Sequence, residues 1–162
     1  MSGVDCIVVT GNLNGNLPHA WNAVNLNDKW YQVDTTNNVN TTGIEFFLYD
    51  CDTDTAQQTG FVTDSYFELD SKLSDYVTDD DTFEYYYSNG LTANSMDTYS
   101  QILDSKLDEN TKTIAVRYTA DDIDTQSLVS TVQLIFNKHG MEDKLETLGS
   151  CVENGYIVLL VK

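Results

Sequence analysis

Basic residues are scarce in this chain. Eight Lys and Arg stand against 26 Asp and Glu in 162 residues, for a formal net charge of −18. That balance argues against nucleic acid as a partner, because phosphate binding needs clustered lysine and arginine. It argues against an anionic membrane surface for the same reason. Long apolar runs are also missing: none approaches the roughly 20 residues of a membrane helix, so no membrane span is expected. Met1 to Val9 lacks the basic start and the apolar length of a secretory signal. The three cysteines, Cys6, Cys51 and Cys151, are odd in number and have no metal-ligand spacing. They give no disulfide framework, although one pair could form, and no cofactor or metal set. Histidine occurs twice, as His19 and His139.

What is present reads as globular. Hydrophobic residues make up 41% and aromatics 11%, too much apolar surface for a disordered chain. The length suits one or two small domains with a real core. Acid is concentrated between Thr41 and Gly90, where twelve Asp and Glu face the single lysine Lys72. An acidic surface rich in Asn, Thr and Asp suits a secreted or cell-surface bacterial protein, on composition alone.

The most informative stretch is His19 to Asp34, HAWNAVNLNDKWYQVD. Asn27-Asp28 makes a good two-residue turn, since both residue types tolerate positive φ. Its flanks, His19 to Leu26 and Lys29 to Asp34, are rich in Trp, Tyr and Val, as strands prefer. If Leu26 faces Lys29, then Asp34 faces Trp21. His19 and Asp34 become diagonal neighbours on one sheet face, with Cβ atoms about 7–8 Å apart or somewhat less. A carboxylate at that distance can hold the Nδ1 proton of the imidazole and leave Nε2 toward a thiol or hydroxyl. A bulge would move Asp34 to the other face.

Elsewhere in the first half, Cys6 to Thr10 and Ile44 to Tyr49 read as further strands. Gly11 to Pro18 reads as a Gly- and Asn-rich loop that could rim a site. Cys6 lies in the apolar run Ile7-Val8-Val9, which points to an inert core thiol. Asp50, Asp52 and Asp54 alternate as in calcium loops. The sixth and twelfth loop positions are Thr55 and Phe61, however, where an EF-hand needs Gly and Glu, so these acids read as a solvated loop. Asp79-Asp80-Asp81 reads the same way. Thr63 to Tyr76 has the pattern of a short helix.

A boundary is expected at the acidic linker Thr78 to Thr82, dividing residues 1–78 from a small α/β domain over 79–162. There Phe83 to Ser88 reads as a strand, with alternate tyrosines of Tyr85-Tyr86-Tyr87 buried on a sheet face. Asn94 or Ser95 caps a helix carrying Tyr99, Ile102, Leu103 and Leu107. Lys112 to Tyr118 alternates as a half-buried strand. Asp124 to His139 is a helix with the stripe Leu128, Val132, Ile135 and Phe136, and Gly140 stops it. His139 suits the negative end of that helix dipole. Tyr156 to Val161 is apolar on both faces and reads as a central strand. The fold class is therefore α+β: antiparallel strands, then a two-layer α/β unit.

The order GVDCIVVTG, then HAWNAVNLNDKWYQVDTT, resembles the bacterial transglutaminase-like superfamily over Gly3 to about Thr36. That family has a papain-like fold and a Cys–His–Asp triad. Its Val-Thr-Gly-like strand, His-Ala-Trp-Asn strand and Trp-Tyr-x-Val-Asp strand correspond to His19, Trp21, Asn22, Trp30, Tyr31 and Asp34. The resemblance implies that His19 is the catalytic base and Asp34 its orienting residue. The substrate it implies is a protein or peptide amide. It places the nucleophilic cysteine on a helix preceding the Val-Thr-Gly strand, so Cys6 falls on a strand position rather than the nucleophile's. On this reading the chain is the C-terminal part of a transglutaminase-like core, with homodimerisation or domain swapping open to it through the surface the helix would cover. Two alternatives stand beside it. One is a non-catalytic, pseudoenzyme-like extracellular binding or surface module. The other is an acidic domain stabilised by calcium at Asp50, Asp52 and Asp54.

Overall fold

The computed structural model describes residues 3–36, 49–51, 56, 60–63, 81–121, 123–147, 152–153 and 155–162. The chain is α+β and divides into two compact units, the first running to Ser88 and the second starting at Asn89. Five strands build the first unit: β1 (Cys6–Leu13), β2 (Leu17–Leu26), β3 (Lys29–Val33), β4 (Tyr49–Cys51) and β5 (Phe61–Thr63). They form one antiparallel sheet in the order β4-β3-β2-β1-β5. The β2–β3 hairpin has the expected register, with Leu26 opposite Lys29 and no irregularity up to Asn22 opposite Val33. Asn27 and Asp28 turn it with φ of 54° and 64°, the positive values that a two-residue type I′ turn requires.

Residues 11–18 are not a loop. β1 continues to Leu13, Asn14 to Asn16 turn the chain, and β2 resumes at Leu17. Positive φ at Asn14 and Gly15 confines the irregular backbone to that tip. Nor is Phe83 to Ser88 a strand. Tyr85–Ser88 is a single helical turn, α1. The Glu84 carboxylate accepts the Tyr87 N–H at 2.6 Å, and the Glu84 carbonyl accepts the Ser88 N–H. This local cap outweighs the strand preference of three tyrosines. Tyr86 is buried and Tyr87 exposed.

The strand expected at residues 44–49 is described only at Tyr49, where β4 begins, and Asp50 lies within β4. Asp52, Asp54, Asp79, Asp80 and the helix expected after Thr63 lie outside the described residues; Thr63 itself ends β5.

The second unit runs β6 (Thr92–Ala93), α2 (Met96–Lys106), β7 (Thr113–Tyr118), α3 (Thr125–Lys138), β8 (Leu145–Thr147), β9 (Val152–Glu153) and β10 (Tyr156–Val161). The sheet order is β6-β7-β10-β8, with β9 also paired to β10. β10 is central, as its two-faced apolar sequence requires. Ser95 caps α2 by accepting the Thr98 N–H. Tyr99, Ile102, Leu103 and Leu107 join Leu128, Val132, Ile135 and Phe136 of α3 over Ile114, Val116, Ile157 and Leu159 of the sheet. Both helices therefore cover one sheet face. α3 stops at His139, followed by Gly140 at φ 65°, a left-handed position suited to glycine. His139 does more than meet the dipole: its Nε2 lies 2.8 Å from Asp104 Oδ1, and Lys138 Nζ lies 2.7 Å from Asp104 Oδ2, tying α3 to α2. Lys138 first, then His139, holds the Asp104 carboxyl below its ordinary value.

Asp124 caps α3 through the Gln126 and Ser127 amides and the Ser127 hydroxyl. The Ser127 hydroxyl first, then the Gln126 N–H, lowers its carboxyl below the ordinary 3.8. A depressed carboxyl stabilises fully above its unfolded value and loses that contribution as pH falls through the folded one. The stability difference between wild type and Asp124→Asn is thus expected to be constant above about pH 5 and to shrink below about pH 4. Denaturant melts across that range read it, and a pH-independent difference would contradict the assignment.

Candidate functional site

The site grows out of the hairpin register. In β2 His19 and Trp21 point to one face, and in β3 Gln32 shares that face with Asp34, which lies just past the strand end. His19 reaches diagonally to Asp34, with Nε2 2.7 Å from Oδ2. The His19 side chain is 17% exposed and that of Asp34 only 1%. Asp34 holds still because its second oxygen is used too: Oδ1 accepts the Thr36 N–H at 2.9 Å, a local Asx-type turn that ends the strand.

The ring nitrogens take the reverse of the expected roles. Asp34 engages Nε2, not Nδ1. A carboxylate only accepts, so Nε2 donates, and in the neutral ring Nδ1 carries the lone pair. Sequence fixes that the two residues meet, but which ring edge faces the acid depends on χ2 of His19, which strand pairing leaves open.

Aromatic rings frame the imidazole. The Trp21 ring stacks beside it at 6.4 Å and 20°, and the Phe61 ring lies at 5.9 Å and 57°. Trp21 and Phe61 meet edge to face at 5.3 Å. Trp21 is itself fixed by a buried hydrogen bond from Nε1 to Gln32 Oε1, 2.7 Å long. The sequence reading missed Gln32 and Phe61. Gln32 was within reach, because it stands to Trp21 as Asp34 stands to His19. Phe61 was not, because β5 joins β1 across a long connection.

Gly11 makes the frame possible. It lies opposite His19 on one side and Thr63 on the other. A Cβ here would strike the Val62 carbonyl oxygen and approach Trp21 Cη2 to 2.8 Å and Thr63 Cα to 2.9 Å. Glycine is therefore needed for close approach rather than for a loop.

Cys6 is the clearest correction. It is exposed, not a core thiol. It pairs with Val24 while His19 pairs with Gly11, so Cys6 and His19 lie on opposite faces of the sheet. Only the face carrying Val9 and Gly11 is covered; Val8, beside Cys6 on its own face, is 60% exposed. Cys51 follows Asp50 in β4 opposite Gln32, and Cys151 lies outside the described residues. Among the described residues no group of three His, Cys, Asp or Glu side chains could hold a metal, and no helix is long and apolar enough to cross a membrane. No protein-family model matches the chain, and no curated protein does.

Gly11→Ala is expected to destabilise the protein by about 1–3 kcal/mol, the usual scale of overpacking. The obstruction is backbone, which cannot swing aside as a side-chain end can. Urea unfolding measures it, and an unchanged midpoint would show that β5 shifts freely.

Proposed function

We propose that this chain supplies the base and orienting residue of a transglutaminase-like cysteine acyltransferase or peptidase acting on protein amides. The observation that supports the reading is the 2.7 Å contact of His19 Nε2 with the buried Asp34 carboxylate, at the positions that carry the family resemblance. Asp34 orients the ring and stabilises the imidazolium that forms. His19 Nδ1 takes the thiol proton. The thiolate attacks the amide carbonyl carbon, forming a C–S bond. The C–N bond breaks and the leaving amine takes the proton back from the imidazolium. Water or a second amine then attacks the thioester, again giving its proton to His19, and the thiol is released. The nucleophile comes from outside this chain, on a helix preceding β1. Cys6 does not serve, because it faces away from His19.

The reading frame immediately upstream tests the proposal. A cysteine opening an amphipathic helix is expected there. In the extended protein its alkylation by iodoacetamide near neutral pH should slow at least about tenfold in a His19→Ala variant, on the scale of general-base assistance. Mass spectrometry of the labelled peptides reads this. A frame with no such cysteine, or a thiol indifferent to His19, would overturn the enzyme reading in favour of a non-catalytic binding module. In the 162-residue chain itself, Cys6 is expected to label at the same rate in wild type and His19→Ala. A slowing in the variant would contradict the placement of the two residues on opposite faces.

A further inference from the structure

The hairpin carries two hydrogen bonds of one geometry. His19 reaches Asp34 and Trp21 reaches Gln32 across the same diagonal of β2 and β3, each over 2.7 Å. The upper ring of one pair stacks on the ring of the next, at 6.4 Å and 20°. Gln32 is 6% exposed, and a buried amide contributes little hydrophobic stabilisation to a strand otherwise made of Trp, Tyr and Val. Its evident service is to accept the indole N–H, which burial would otherwise leave costly.

We propose that Gln32, acting through Trp21, is a positioning residue for His19. The inference rests on reading His19–Asp34 as the proton-handling pair. A single contact at Nε2 pins one edge of an imidazole and leaves the ring able to swing about it. The Trp21 plane supplies a wall on one side and Phe61 a wall on the other. The indole holds that plane because Gln32 Oε1 fixes its N–H end; without the acceptor the indole can turn about χ2, and the wall goes with it. Gln32 thus sets the direction of Nδ1 while touching no reacting atom.

Ring-nitrogen NMR of 15N-labelled full-length chain tests this without any activity assay. His139→Asn in every sample leaves His19 as the one imidazole. In the parent the Nε2–H tautomer should dominate, with a proton slow to exchange. Gln32→Met keeps the volume and removes the acceptor. It should lower the ratio of Nε2–H to Nδ1–H tautomer, or speed exchange of the Nε2 proton, by about tenfold, the worth of one hydrogen bond. Gln32→Glu, which keeps an acceptor oxygen, should restore the parent signature. If Gln32→Met does not fold, Trp21→Phe carries the test, since it keeps a ring and drops the N–H. A lower melting temperature with unchanged tautomer ratio and exchange, in Gln32→Met or in Trp21→Phe, would reduce Gln32 to a core residue and overturn the proposal. A parent protein in the Nδ1–H form would overturn the pair geometry as well. A thiol indifferent to His19 in the alkylation assay, beside a tautomer that responds to Gln32, would remove the enzyme reading and leave the positioning intact.

Discussion

Positive φ at Asn27 and Asp28 is the constraint on which the whole site depends. These two residues set a two-residue turn, the turn sets Leu26 opposite Lys29, and that register decides which side chains of β2 and β3 share a face. Strand side chains alternate with a period of two, so a slip by one residue would carry Asp34 to the face of Asn22 and Val24. No adjustment of rotamers could then bring it to His19. The 2.7 Å contact is thus a consequence of backbone geometry set several residues away. Asp34 adds its own constraint by ending the strand and folding its second oxygen onto the Thr36 amide. A carboxylate held at both oxygens and nearly out of solvent is a fixed reference against which the imidazole can be aligned.

What was legible in the sequence is what local rules decide. The hairpin turn, the caps at Ser95 and Asp124, the stripe of α3 and the central place of β10 each depend on residues close in the chain or on a simple period. The failures share a different cause. Cys6 lies in an apolar run, but which side of an apolar strand is covered depends on segments far along the chain. The covered side proved to be that of Val9 and Gly11. Gly11 looked like a loop residue because the reason for it, the closeness of β5 and the Trp21 ring, is non-local. Phe83 to Ser88 failed the other way: one carboxylate, Glu84, bonded a nearby amide and turned a tyrosine-rich segment into a helical turn.

The scarcity of base also marks the second unit. Lys138 and His139 both converge on Asp104, at the end of α3 where the dipole favours cations. Their carboxylate partner is about one-third exposed, so water and salt weaken the attraction and it ties the helices rather than driving the fold. The core beneath, closed by Leu103, Leu128, Val132 and Ile157 with almost no exposure, carries the stability. A strongly acidic chain can fold in this way because its few bases sit where two helices meet and its excess acid stays at the surface, where the charge is solvated.

The two faces of β1 bring the fold and the chemistry together. On one face Gly11 withdraws its side chain so that an indole and a neighbouring strand can close around His19. On the other, Cys6 and Val8 face solvent. A thiol on β1 can therefore never reach the imidazole by any change of rotamer, for the sheet itself lies between them. A nucleophile for His19 must approach from the covered face, toward Nδ1, since Nε2 is committed to Asp34. That requirement is stereochemical and does not depend on what the nucleophile proves to be. It restricts any partner thiol to an element lying over the aromatic frame of Trp21 and Phe61.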